Sequence, residues 1–391
     1  MSGAAARSSA GAVGLSVGAA LITGATLGNL GSTLMPVLLP GMAERYHLSS
    51  TSTGLVATLQ LLSTAVMTLA LTARVARPGR VRIARLGLVI TVVGFGIAAV
   101  APDITVLIVG NIIAGAGLGV VNAAGMAAIA AAEDTDRASY VAVLGATLVI
   151  AALIVALPEA QNAWGAAAEF GVLAVCCIPA LWLMRPLPDA PTRDLKPASA
   201  TPIPVVFLLA VALLSASDQG AWSYSATLGE RYEGLSADTV SVVLAVASFA
   251  SLAGVLVCGF AVPRWGRNAL ITFFIVVEGL AKLVIAAIPW SVAFVVSAVV
   301  WQVCFMALLV LVLAVAASAD GSGRWVAAAT GALAIGTALG PAPSGWVLDT
   351  MGPTGFGIFL ALATGVAAVP LLRVCRAAAS RQTEDCLPAL L

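Results

Sequence analysis

The chain has 391 residues, 61% hydrophobic and only 9% charged, with a formal net charge of +1 and a mean hydropathy of +1.06. A soluble chain carries about 25% charged residues, so these charges cannot coat a water-facing surface, and lipid must solvate most of it. The near-zero net charge, without a basic stripe interleaved by aromatics, excludes nucleic acid as a partner.

A helix needs ~20 mostly apolar residues to cross a ~30 Å hydrocarbon core. Arg7 precedes an apolar run from Val13 to Leu39. That run exceeds the about 7–15 residues of a secretory signal, so it reads as a first span kept in the mature protein. Six spans follow one another at 15–39, 53–73, 84–101, 104–131, 137–157 and 163–183. Residues 185–204 read RPLPDAPTRDLKPASATPIP, proline-rich and charged, and are a linker. Six more spans lie at 203–226, 239–262, 268–288, 291–317, 323–347 and 354–374. The expected architecture is an all-α integral membrane protein of twelve helices. It divides into an N-terminal bundle (1–184), a cytoplasmic linker (185–204), a C-terminal bundle (205–374) and a cytoplasmic tail (375–391).

Orientation follows from the nineteen Lys and Arg. With the N-terminus cytoplasmic, all of them fall in cytoplasmic segments except Arg45, Arg231 and the intramembrane Lys282. The positive-inside rule demands that split. It places the chain in the cell inner membrane as a multi-pass protein with both termini cytoplasmic.

The metal and catalytic classes find no support. Four of the six cysteines, Cys176, Cys177, Cys258 and Cys304, lie inside apolar runs, and Cys375 and Cys386 lie in the tail. No CxxC or Cys/His cluster occurs, and His47 is the single histidine, which excludes a zinc or iron–sulfur site. No Ser/His/Asp set, HExxH or GxxxxGK[ST] is present, so neither an enzyme nor an ATP-driven pump is expected, and no cofactor.

An internal repeat ties the halves together. The loop after span 2, TARVARPGRVR, and the loop after span 8, GFAVPRWGRNA, align so that Arg77-Pro78-Gly79-Arg80 matches Arg264-Trp265-Gly266-Arg267, about half the chain apart. Parallel repeats of this kind build known transporter folds. Both loops resemble the signature loop of the major facilitator superfamily, broadly G-x-L-a-D-r-x-G-R. The acidic position is Ala76 in one copy and Pro263 in the other, and the opening glycine is Thr72 or Gly259. Gly336–Gly345 resembles the glycine-proline helix common at span 11 in that superfamily. The resemblance covers essentially the whole chain and implies a transporter with a central cavity lined by spans 1, 4, 7 and 10. Two departures weigh against a drug/proton antiporter of the common type. Asn111, before Gly115, replaces an arginine of span 4, and span 5 lacks a G-x-x-x-G-P-x-x-G-G pattern.

The four implied lining spans carry polar residues. Span 1 has Thr26, Asn29 and Thr33 on one face. Span 4 has Asn111 and Asn122 pointing the same way, with Gly115 and Gly119 at nearby angles. Span 7 has Ser215, Asp218, Trp222 and Ser225, and span 10 has Trp301 and Gln302. Span 2 adds Gln60 at similar depth. Such groups either line a wet cavity or bond across helices to hold the bundle. Asp218, followed by Gln219, is the leading proton or substrate site, unless it meets water or Arg231 at the outer end of its span. Trp222 and Tyr224 lie near the outer interface, where aromatics serve as anchors, whereas Trp301 is deeper and better placed to stack on a solute. Glu278 and Lys282 form an i,i+4 pair that reads as structural, because the resemblance makes span 9 peripheral, with a proton relay as the sharper alternative. Arg77, Gly79, Arg80, Arg264, Gly266 and Arg267 form cytoplasmic gating loops. Lacking the usual acid, their arginines need helix C-terminal carbonyls or Glu133 and Asp134 as acceptors.

The expected function is secondary active transport of a small organic solute, coupled to protons through Asp218, by a monomer in the bilayer. An exporter of drugs or natural products shares the fold. A transporter-like sensor or receptor is the rival of a different class.

Overall fold

The computed structural model describes residues 14–189, 191, 202–320 and 323–386, with side chains through Arg376. Most of the linker, including Arg193 and Lys196, lies outside the described residues, as do Arg7 and the end of the tail after Cys386. The apolar runs become helices because only helices satisfy every backbone group within a single segment in lipid. No strand occurs among the described residues.

The first half contains α1 (Leu15–Thr33), α2 (Met35–Tyr46), α3 (Ser50–Val75), α4 (Arg80–Ala99), α5 (Ile104–Ala130), α6 (Thr135–Trp164) and α7 (Ala168–Leu183). The second contains α8 (Val205–Thr227), continued by a π-helical turn (Leu228–Tyr232), then α9 (Ala237–Ala250), α10 (Leu252–Trp265), α11 (Arg267–Ala287), α12 (Ser291–Ala319), α13 (Arg324–Leu339) and α14 (Pro341–Cys386).

The expected spans differ in how continuous they are: the first is bent, whereas the eighth and eleventh are interrupted only at residues that keep helical dihedrals. The first is two helices meeting at Leu34 with a 49° bend, and it runs on to Tyr46. The eighth divides at Ser251, and the eleventh at Gly340. The twelfth overruns its expected end and continues as helix through Cys386. Among the described residues, nine helices are long and apolar enough to cross a membrane, or ten with the bent pair counted as one. The expected twelve is therefore not matched. The shortfall arises where α7 is only 16 residues long and where Arg324–Arg376 counts as one stretch of 53 residues. Gly352 interrupts that stretch at φ 68°, ψ −174°, a conformation open to glycine and closed to other residues.

Exposed apolar stripes mark the lipid-facing surface. Phe273, Val276 and Leu280 on α11, and Leu362, Val366 and Val369 on α14, are each about half exposed or more and follow the 3–4 residue helical repeat. Inside, small residues let helices close up. Gly94 of α4 lies against the Ala114 backbone of α5, and Gly117 against Thr91. Ser63, Thr64 and Thr68 of α3 donate to the Ile112, Gly115 and Gly119 carbonyls of α5 at 2.9–3.1 Å. The two sets of helices pack largely within themselves and meet where α3 touches α13 and α14, α6 touches α9, and α2 touches α8.

Candidate transport site

Asp218 sits about two-thirds of the way along α8, and its carboxylate turns inward rather than toward Arg231. Its Oδ1 lies 2.7 Å from Lys282 Nζ of α11 and accepts the Trp301 indole N–H of α12 at 3.1 Å. Lys282 also contacts Glu278 Oε1 one turn before it, as the i,i+4 spacing predicts. Its remaining reach goes to Ser217 Oγ and Thr364 Oγ1, both at 3.1 Å. Ser217 in turn donates to the Leu360 carbonyl. Glu278, Lys282 and Trp301 are fully buried, and Asp218 is 5% exposed.

The Glu278–Lys282 pair is therefore not set apart from Asp218. All three form one cluster, gathered from α8 and α11 and framed by α12 and α14. Two carboxylates face one ammonium, so with both ionised one negative charge is uncompensated. Asp218 Oδ2 and Glu278 Oε2 have no hydrogen-bond partner. A lone buried charge costs several kcal/mol. A proton or a bound cation would cancel it.

Asp218 also borders a narrow recess, with Ser215 beside it and walls of Leu214, Phe305, Leu309, Val312 and Leu333. The acid thus touches its lysine on one side and an apolar recess on the other.

Trp222 and Tyr224 are not interfacial anchors. They are 6% and 1% exposed and bond to the first half. Trp222 Nε1 donates to the Thr33 carbonyl at 2.9 Å, and its ring lies 6.1 Å from that of Trp301. Gln219 Nε2 donates to the Ser32 carbonyl at 2.9 Å. Tyr224 donates its hydroxyl to the Ser50 carbonyl at 2.7 Å. Asp349 of α14 accepts from the Ser50 and Thr51 N–H groups at 3.1 and 2.7 Å, so it caps the N-terminus of α3 from the other half. The Ser50 and Thr51 contacts lie where α3 begins, whereas the Ser32 and Thr33 contacts lie deeper, at the α1–α2 junction.

The other expected polar residues do not converge on Asp218. Asn29 is exposed on α1, one turn before Ser32 and Thr33, and bonds to its own Ala25 carbonyl. Asn111 is buried and likewise bonds back to Leu107 at 2.9 Å. Asn122 is half-buried near Thr68. Gly115 and Gly119 lie against the Gln60 and Thr64 carbonyls of α3, so that face of α5 is a helix seam rather than a cavity wall. Gln60 is fully buried with neither amide atom bonded, its Nε2 beside Gly31. Gln302 neighbours Trp301 and is buried.

The two Arg-x-Gly-Arg loops differ. Gly79 adopts φ 100°, and Arg80 behind it is fully buried. Its guanidinium donates to the Ala127 carbonyl of α5 at 2.7 Å and to Pro188 and Ala76 carbonyls at 3.3 and 3.4 Å. Helix-end carbonyls thus serve as acceptors, as expected. The acid is Asp189 of the linker, which accepts the Gly79 and Arg80 N–H groups at 2.9 Å. Asp134, the acceptor considered instead, caps α6 through the Arg137 N–H. Arg77 is exposed. In the second loop, Arg264 is exposed and lies over the Phe260 ring at 3.7 Å, and Arg267 is half-buried after Gly266.

Besides Asp189, two further acids escaped the sequence reading. Asp349 is one, and Glu169 of α7 the other. Glu169 is fully buried over Gly41 of α2, with both oxygens unpartnered. Glu169 is an acid inside an apolar run, the same signal that picks out Asp218.

No curated protein matches the sequence. Among solved structures, a point mutant of the nucleoside transporter NupG aligns at TM-score 0.70 and 15% identity, covering 93% of this chain and all of that one. A D-xylose-proton symporter aligns at TM-score 0.71 and 14% identity, covering 92% and 96%. At such identity the likeness establishes a shared fold. The model of the Major Facilitator Superfamily matches residues 20–316. The chain belongs to the Major Facilitator Superfamily and is a multi-pass membrane transporter.

Proposed function

We propose that the protein moves a small organic solute across the cytoplasmic membrane by alternating access, with Asp218 taking up and releasing the coupling proton. The observation that carries this reading is the Asp218–Lys282–Glu278 cluster, whose second carboxylate lacks a counter-charge and whose first borders a recess. A proton on Asp218 frees Lys282 to bond Glu278 alone. Loss of that proton restores the 2.7 Å bridge and draws α8 toward α11. Access changes as the two bundles, residues 1–184 and 205–374, rock about the solute. In this reading α7 is the sixth span. The 53-residue stretch, ~80 Å long at 1.5 Å per residue, is two spans folded at Gly352. That makes twelve spans, with both termini cytoplasmic and the transporter working as a monomer.

The test begins with a thermal-shift screen of purified protein against organic acids, sugars, nucleosides and amphiphilic drugs, since a ligand of the folded state raises its stability. Flux of the best ligand is then measured in liposomes with and without a pH gradient. Asp218→Asn should abolish the gradient-driven component. Driven flux persisting unchanged in that variant removes Asp218 from the coupling.

A further inference from the structure

Pro36 is the second residue of α2. It has no N–H, so the Ser32 carbonyl loses its helical donor. The next N–H, of Val37, goes to the Leu34 carbonyl at 3.0 Å, which turns it away from Thr33. The break in α1–α2 therefore releases two neighbouring carbonyls from the helical ladder. Buried carbonyls need partners from elsewhere in the protein, and both partners here come from the opposite half.

Gln219 Nε2 takes Ser32 O and Trp222 Nε1 takes Thr33 O, each at 2.9 Å. The two donors stand three residues apart on α8 and share one face. Each is braced from behind. Ser223 Oγ lies 3.2 Å from Gln219 Nε2, and the Trp222 ring packs on Trp301, whose indole N–H is held by Asp218. One turn of α8 thus grips the broken helix on one side and the charge cluster on the other.

We propose that Gln219 and Trp222 are the latch that keeps the Ser50 end of the transporter closed, and that Pro36 supplies the two carbonyls they hold. Opening that end admits water, which takes over both carbonyls and both donors. The exchange of protein bonds for water bonds is nearly balanced, as a reversible gate requires. Asp349 and Tyr224 join the halves nearer that end by gripping the start of α3: Asp349 accepts N-terminal N–H groups, which are free in any helix, and Tyr224 donates to the Ser50 carbonyl. Only the latch depends on a proline placed to release its acceptors. The inference rests on the transport reading for its meaning and on geometry alone for its test.

Ser225 is fully buried one turn beyond the latch. In protein whose six cysteines are replaced by alanine, Ser225→Cys reports opening through its rate of reaction with a hydrophilic maleimide in lipid nanodiscs. Gln219→Met and Trp222→Phe keep shape and stacking but remove the donors. Each should raise the rate about five-fold, and the pair about 25-fold, as expected for one or two hydrogen bonds. Pro36→Ala, which returns a donor to Ser32 O without touching α8, should raise it in the same direction. A second reporter, Ala367→Cys, is buried in the other core of the second half and should keep its parent rate. A rise at both reporters signals unfolding and leaves the decision to Pro36→Ala. The parent rate at Ser225→Cys in the double variant, or in Pro36→Ala, overturns the latch. No solute or gradient enters the measurement, so the latch and the proton coupling fail separately.

Discussion

Arg80 in the first half and Lys282 in the second are both fully buried cations, yet they are held differently. Arg80 donates its guanidinium to backbone carbonyls of three segments, and Asp189, which caps the helix that Arg80 begins, adds a longer 3.9 Å ion pair from the half-exposed side. None of those carbonyls titrates, so the site behaves as a rivet joining α3, α4, α5 and the linker. Lys282 rests among two carboxylates and two hydroxyls, and either carboxylate can change charge. The difference assigns rigidity to the α3–α4 loop of the first half and responsiveness to the middle of the second.

The largest test of that contrast is Lys282→Met. Removing the ammonium strands Asp218 and Glu278 side by side without a counter-charge, and breaking a buried pair costs about 3–5 kcal/mol. The melting transition of purified protein should fall sharply, and gradient-driven flux should vanish. A variant as stable as the parent means that the carboxylates are held by something other than Lys282.

Arg80→Ala should come next. It leaves the carbonyls of Ala127, Ala76 and Pro188 short of a donor, and hydrogen bonds from a charged group are each worth about 1.5–3 kcal/mol. A loss of about 2–3 kcal/mol is expected because part of the site can rewet near Asp189, whose side chain is 41% exposed. The contrast with Lys282 sharpens in the flux assay. Arg80→Ala should lower the amount of folded protein while the surviving molecules keep their response to the gradient.

Much of this was legible in the sequence, for physical reasons that differ from residue to residue. The spans could be read because charge is nearly absent from them, and the Glu278–Lys282 pair because i,i+4 neighbours must meet on a helix. Helical spacing also placed Thr33 on the polar face of α1, and its carbonyl is one of the two that α8 holds. What spacing along one helix cannot encode is which helix lies alongside. Lys282 meeting Asp218, Asp349 capping α3, and Asp189 replacing the acid missing from its loop are all pairings between distant segments. Trp222 and Tyr224 were misplaced at the interface because depth along a span was read without the bend at Leu34 that brings the other half against them. Glu169, by contrast, carries the same signal as Asp218, an acid within an apolar run.

The smallest effect belongs to the second copy of the repeat, and it decides whether motif or context makes the rivet. Arg267 occupies the position of Arg80, follows a glycine of positive φ as Arg80 does, and begins a helix as Arg80 does. Its side chain is only half-buried, and its neighbour Arg264 bonds its own helix at Phe260 and lies over that ring. The helix before it runs straight through Pro263 to Trp265, so the chain does not fold back over the arginine as Ala76–Pro78 does in the first loop. Arg267→Ala should therefore change stability by less than about 0.5 kcal/mol, the usual range for a surface position. If it instead costs as much as Arg80→Ala, the arginine of this motif is structural wherever it occurs, and burial behind the Asp189 cap is not what makes Arg80 matter.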